Sequence, residues 1–221
     1  MDQVDAILLI GPTGSGKTPL GQALQHAGFS GRKVYHFDFG EHLRKASSSK
    51  STIYGLSGKE SQLIKRLLSE NKLLPDGSLA IAKKIITGFM SNWKPSTVPR
   101  QRSTVNDQPI ILLNGYPRNI RQAAMIDKVV RMMAVIELSA STEVVMARIK
   151  RDTGGDRAGR VDDARAEIRR KLRIFKKETK PVIAYYRARK VLILKVNVGI
   201  GSTALQMLAA IKRKGTLCLS R

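Results

Sequence analysis

The chain has one cysteine, Cys218, in 221 residues, so neither an intrachain disulfide nor a Cys-rich zinc site can form. Aromatic residues are scarce at 5%, which argues against a surface built to stack nucleic-acid bases. No apolar stretch approaches the roughly 20 residues of a membrane-spanning helix. The opening segment, MDQVDAILLI, is acidic and lacks the basic start and apolar length of a signal peptide. No membrane contact and a cytoplasmic location are expected. The three histidines, His26, His36 and His42, lack metal-ligand spacing supported by carboxylates and read as surface or edge residues. Acidic residues are also few: 17 Asp and Glu stand against 40 Lys and Arg, for a net charge of +23.

That excess, with a pI near 10.6, implies anionic partners. The charges are spread along the chain, which favours a basic solvated surface over a nucleic-acid or ribosome-binding face. The segment from Asp163 to Lys177 reads as one helix with Arg165, Arg169, Arg170, Lys171, Arg173, Lys176 and Lys177 on its outer side. Its apolar face would carry Ile168, Leu172 and Phe175.

Residues Gly11 to Thr18 read GPTGSGKT and meet the phosphate-binding pattern G-x-x-x-x-G-K-[ST] at every fixed position. Glycines let the backbone curl so that successive N–H groups point into one concavity, with the positive end of a helix behind it. In such a loop Gly11, Gly14, Ser15, Gly16, Lys17 and Thr18 hold the phosphates of a nucleoside triphosphate. Lys17 reaches the β and γ phosphates, and the Thr18 hydroxyl holds Mg²⁺. Pro19 suits a first helical turn, where its missing N–H is not needed.

The length allows one well-buried core, so a single domain over 1–221 is the default. Val4 to Ile10 precedes the loop as a strand, and Leu20 to Ala27 follows it as a helix ended by Gly28 and Gly31. Lys33 to Phe37 reads as a second strand. From Gly40 to Met90 the pattern is helical with breaks, one helix carrying Leu63, Leu67, Leu68 and Leu74 on a face. Lys94 to Pro109 reads as an exposed loop. Pro109 to Leu113, Ala134 to Leu138 and Val191 to Val198 are apolar runs of the kind found in buried parallel strands. Five strands alternating with helices predict an α/β fold with a five-stranded parallel sheet and a ligand site at the carboxyl ends of its strands. Arg44, Arg118, Arg148 and Arg160 follow strand ends or flank glycine-rich turns, a placement suited to clamping phosphates.

Taken in order, GPTGSGKT, DFGEHLR (38–44), LLPDGSLAI (73–81), LLNGYPRNIRQA (112–123), RIKRD (148–152), GRVDD (159–163) and TKPVIAYY (179–186) resemble the adenylate kinase family, the nucleoside monophosphate kinases. The resemblance runs along nearly the whole chain. It implies a P-loop kinase fold with a helical acceptor-binding insert over 38–90 and a short lid over 152–162. It implies transfer of the γ-phosphoryl group of Mg·ATP to a nucleoside monophosphate, AMP by default, in a monomer. Arg44 and Arg118 would grip the acceptor phosphate, with Tyr116 beside them and Gln122 near the base. Arg148 and Arg160, with Arg151 or Arg157, would close over the transferred group from the lid, which Asp162 and Asp163 would latch.

Three positions depart from the family pattern. Asn114 stands where many relatives have Asp, so it would orient a Mg²⁺-bound water without adding negative charge. Lys171 takes the place of an arginine near the lid and loses the planar fork. Phe39 occupies a position that is often Thr in adenine-selective members, where its ring would stack on a base or narrow the pocket. Two other readings stay open: a relative that binds nucleotide with little turnover, and a basic RNA- or ribosome-associated ATPase.

Overall fold

A computed structural model describes residues 3–48, 53–70, 72, 74–91, 108–155 and 165–219. Five strands form one sheet: β1 (Val4–Ile10), β2 (Val34–Asp38), β3 (Ile110–Asn114), β4 (Val130–Ser139) and β5 (Leu192–Asn197), in the order β2-β3-β1-β4-β5. β1 runs parallel to both β3 and β4, and β4 runs parallel to β5. The helices are α1 (Lys17–Ala27), α2 (Phe39–Ser48), α3 (Gly58–Ser69), α4 (Leu79–Ser91), α5 (Ile120–Ile126), α6 (Thr142–Arg151), α7 (Arg165–Ile174), α8 (Pro181–Ala188) and α9 (Ala204–Leu219). None is long and apolar enough to cross a membrane among the described residues.

The chain divides into two compact units, Met1–His36 with Gln108–Arg221, and Phe37–Asp107. In the first, β3 is buried at all five positions and β1 at six of seven, as a central parallel strand covered on both faces requires. The core joins Ile7, Leu9, Ile110, Leu112, Ile136 and Leu194 to Leu20 and Leu24 of α1 and to Met207 and Ile211 of α9. A smaller cluster of Val145, Ile149 and Ile168, with Leu172 packed on it, docks α7 against α6.

β4 starts four residues earlier than the apolar run at Ala134 predicts. Pairing explains the difference. Val130 to Met132 lie beside Val4 to Ala6 before an irregularity in register, and exposed Arg131 donates from Nε to the buried Asp5 carboxylate at 2.5 Å. Arg32 donates to the same carboxylate at 2.7 Å. The two guanidiniums, Arg131 foremost, hold the Asp5 carboxyl below its ordinary range. On α8, Tyr185 and Tyr186 donate to the two oxygens of Asp127 at 2.8 and 2.9 Å, and burial drives the Tyr186 hydroxyl far up.

The helix predicted from 163 to 177 is α7, giving way at Phe175–Thr179 to a wider π turn before Pro181 opens α8. A proline cannot donate to the preceding turn, so the chain changes pitch ahead of it.

In the second unit, α3 opens with a capping box: the Glu60 N–H donates to Ser57 Oγ, and the Ser57 N–H donates to the Glu60 carboxylate. Its buried residues are Ile64 and Leu67, with Leu74 beyond the helix, whereas Leu63 and Leu68 are half-buried. His42 is not a surface residue. It is buried, its ring stacked on Phe37 at 4.7 Å and edge-on to Phe89, with Nδ1 2.6 Å from the Tyr54 hydroxyl. His26 is exposed.

Candidate functional site

The loop between β1 and α1 starts where β1 emerges from the sheet at buried Gly11. Gly14 and Gly16 hold φ of +70° and +89°, a region that costs other residues roughly 1 kcal/mol or more. Space is also short, since a Cβ on Gly14 would lie 2.6 Å from Ile149 Cγ1. Buried Ser15 braces the turn by donating from its hydroxyl to the Pro12 carbonyl at 2.8 Å. Lys17 folds back over the loop, its ammonium donating to the carbonyls of Gly11 and Pro12 at 2.8 Å each. No side chain caps the start of α1, where Gly16 is the N-cap. Its first N–H groups and the helix dipole thus suit an anion.

Asn114 ends β3 and is buried. Its Nδ2 lies 3.3 Å from Thr18 Oγ1, to which it donates, and 3.4 Å from Nε2 of His36. His36 was not legible as a site residue. Its ring is packed against α1 at Gly21, where a Cβ would come within 2.3 Å of Nε2. The only sequence signal is a glycine inside a predicted helix, which calls for a packing reason.

Thr18 and Asn114 offer a metal neutral oxygens only, and no group of three or more His, Cys, Asp or Glu suited to a metal occurs among the described residues. That set fits Mg²⁺ carried in by a nucleotide. Such an ion takes most of its ligands from phosphate oxygens and water and needs few from the protein.

After β3 the turn is closed by Arg118, whose Nε donates to the Gly115 carbonyl at 2.7 Å. Gln122 is buried and accepts the Arg118 N–H on Oε1 at 2.8 Å, while its own N–H donates to the Asn119 side chain that caps α5. Tyr116 is buried in the same turn. The Gln122 carbonyl oxygen thus shapes the loop that carries Arg118.

Arg148 departs from expectation. It does not sit in a closing segment; it lies on α6 and is only 2% exposed. Nε donates to the Gly14 carbonyl at 3.0 Å, and Nη1 lies 2.9, 3.0 and 2.9 Å from the carbonyls of Gly199, Ile200 and Ser202. The guanidinium pins the phosphate loop to the turn between β5 and α9. Lys171, a quarter exposed, stands 4.0 Å from Glu167, whose carboxylate also takes two 2.8 Å bonds from Arg170. Those bonds, Arg170 foremost, hold the Glu167 carboxyl low.

Arg44 is exposed on α2. Phe39, on the same helix, is 3% exposed, with its ring centroid 6.0 Å from that of Phe37. The ring is packed in its own unit and presents no open face for stacking on a base. Arg157, Arg160, Asp162 and Asp163, with most of the lid predicted over 152–162, lie outside the described residues. Arg151 closes α6, and Asp152 follows as its left-handed cap.

The family model described as adenylate kinase matches this chain over residues 9–191. The adenylate kinase of Helicobacter pylori strain Shi470 is 30% identical over 193 residues, which cover 83% of this chain and 84% of the relative. That of Stenotrophomonas maltophilia strain R551-3 is 27% identical over 213 residues, 93% and 98% of the two chains. That of Xylella fastidiosa strain M23 is 27% identical over 198 residues, 87% and 91%.

Proposed function

We propose, from the premise that the chain belongs to the adenylate kinase family, that AMP accepts the phosphoryl group it transfers. As a member of that family it is an ATP-dependent nucleotide phosphotransferase of the nucleoside monophosphate kinase class. The observation that supports transfer from ATP is the loop Gly11 to Thr18, shaped by left-handed glycines at the carboxyl end of β1 with Lys17 folded over it. Phosphoryl transfer needs positioning and charge neutralisation more than a nucleophilic side chain, and this loop supplies both.

On this reading Lys17 leaves the carbonyls of Gly11 and Pro12 for the β and γ phosphates. The N–H groups at the start of α1 bind the phosphate oxygens. The Thr18 hydroxyl would hold the nucleotide's Mg²⁺ and Asn114 would orient a water bound to it; the ion would supply positive charge for the phosphates. Arg118, with its turn fixed by Gln122, receives the acceptor phosphate. Arg160 and Lys171 approach the transferred group during turnover. Arg148 acts from behind the loop by holding Gly14 in place. Adenine is the choice of acceptor base because the relatives are adenylate kinases and because Phe39 is used up in packing.

A coupled assay with Mg·ATP and AMP, CMP, UMP, GMP or dTMP in turn tests the proposal. AMP is expected to give the highest kcat/KM. Preference for another monophosphate would replace AMP, and folded protein that binds ATP but turns over none of the five would overturn transfer itself.

A further inference from the structure

We propose that the outer face of the helical run from Arg165 to Arg187 is a docking rail for a nucleic-acid duplex, bound through its phosphates and without regard to sequence. The inference is independent of the nucleotide site and leaves the phosphotransferase assignment as it stands.

The segment from Arg165 to Lys190 holds eleven Lys and Arg against two Glu, so one short stretch carries more than a quarter of the chain's 40 cations. The fold puts six of them in line. α7, the π turn and α8 follow one another as one helical run, and Ile168, Val182, Ile183 and Tyr186 take its buried side. Arg165, Arg169, Arg173, Lys177, Lys180 and Arg187 succeed one another every three or four residues, with a gap at exposed Ala184, and all six are exposed. At about 1.5 Å per residue the series runs for roughly 33 Å.

The protein does not neutralise these charges. Glu167 takes its bonds from Arg170, with Lys171 approaching, and Glu178 is the other acid of the segment. Among the described residues none of the six cations has a carboxylate within ion-pair reach. Like charges one turn apart repel and weaken a helix, and Arg165, Arg169 and Arg173 make two such steps in α7. A polyanion laid along the rail removes that repulsion.

Form and chemistry choose the polyanion. Guanidiniums bind phosphate through two parallel bonds, and a stiff series of this length matches one turn of a duplex, roughly 34–36 Å. Single strands are held by stacking bases on exposed rings. Here Phe175 is half-buried, Tyr186 is buried, and the Tyr185 ring is covered by the Arg189 guanidinium at 3.6 Å. A membrane surface calls for apolar anchors. The exposed large apolar side chains among the described residues, Ile120, Ile200 and Leu205, lie outside the rail.

Fluorescence anisotropy of a labelled RNA duplex of about 20 base pairs, titrated with the full chain at salt concentrations around 0.15 M, tests the rail. Combining Arg165→Gln, Arg169→Gln and Arg173→Gln should flatten the slope of log affinity against log salt by about 2.7, at about 0.9 per phosphate contact, and weaken binding at least about tenfold. Should that variant misfold, Lys177→Gln, Lys180→Gln and Arg187→Gln together should give the same flattening. Lys59→Gln, Lys65→Gln and Arg66→Gln, at exposed positions of α3, remove equal charge and should leave the slope nearly unchanged. Equal losses in this control and in the rail variant would assign the binding to net charge and overturn the inference. Loss of duplex binding in Lys17→Met would place the duplex at the phosphate loop and overturn it too. So would tighter binding of a single strand, or capture by anionic phospholipid vesicles with no duplex bound. A DNA duplex of the same length run beside the RNA identifies the source by the tighter binding, and absence of binding to both overturns the rail.

Discussion

Arg148 on α6 donates from Nε to the carbonyl oxygen of Gly14 at 3.0 Å, across 134 positions of sequence. The same guanidinium serves three carbonyls in the turn from Gly199 to Ser202. Arg148→Ala is expected to strip a buried partner from four backbone carbonyls, those of half-buried Gly14 and Ser202 and of exposed Gly199 and Ile200, and to cost roughly 3 kcal/mol. For a chain of this size that lowers the thermal midpoint by about 6–12 °C. Arg148→Lys keeps the charge but cannot span loop and turn together, so it should fall between the two. Both should weaken ATP binding, measured by titration at a temperature where each variant is folded. A stable Arg148→Ala with undiminished ATP affinity would remove the pinning role.

Lys17 makes the opposite case. Its ammonium is bonded to two carbonyls of its own loop on half-buried ground, so Lys17→Met should lower the thermal midpoint by only about 2–4 °C. Loss of its charge from the transferred phosphates should reduce kcat/KM for ATP by about 10²- to 10³-fold. Steady-state kinetics beside a melting curve separates the two effects, and a rate loss no larger than the stability loss would count against a phosphate role.

The roles of Lys17 and Arg148 differ in how far the sequence discloses them. Lys17 is legible because its chemistry depends on neighbours within six positions, and the sheet is legible because parallel strands buried on both faces read as continuous apolar runs. Arg148 is legible as a conspicuous cation but not as a strut. Its partners come from the phosphate loop and from a turn beyond β5, and nothing in RIKRD states that its side chain points inward. His36 is hidden for the same reason, since Gly21 and Asn114 meet it only once β2 and β3 lie beside α1. Phe39 is legible as a departure from the family pattern, but its burial beside Phe37 depends on the path of β2 into α2 and is not written in the motif.

Gly21→Ala offers a reading of the His36 contact through stability. Alanine ordinarily favours a helix by about 1 kcal/mol over glycine, but here its Cβ would lie 2.3 Å from the imidazole. The single variant should destabilise. In a His36→Ala background the same change should instead stabilise by up to about 1 kcal/mol. Denaturant unfolding of the four proteins gives the coupling directly. Additive effects would mean that the ring moves aside without cost.

At the opposite end of the sheet, Asp5 ties β1 to Arg131 and Arg32. Its carboxyl is held low chiefly by the Arg131 hydrogen bond, then by Arg32, against a burial penalty. Because the folded value lies below the unfolded one, the stabilisation is complete above the ordinary carboxylate range and fades as pH falls through the folded value. Asp5→Asn should therefore be less stable than the parent at pH 7, and the gap should narrow below about pH 4. Equilibrium unfolding at pH 7 and pH 3 checks the sign; a gap that widens in acid would contradict it.

Asn114→Asp restores a carboxylate at the corner shared with Thr18, and its consequences should depend on the ion. Asn114 is 3% exposed, so without a divalent cation the new charge is poorly solvated, and the variant should be less stable than the parent. A bound cation reverses that balance. A carboxylate acting through one water on a doubly charged ion contributes on the order of 1–2 kcal/mol even at high effective dielectric. Mg²⁺ affinity in the presence of ATP should consequently rise by about 5- to 30-fold. Thermal midpoints with and without Mg·ATP, beside a Mg²⁺ titration of activity, read both halves of the argument. A variant destabilised equally in both conditions, with unchanged Mg²⁺ dependence, would place the ion away from residue 114 and leave Thr18 as its protein anchor.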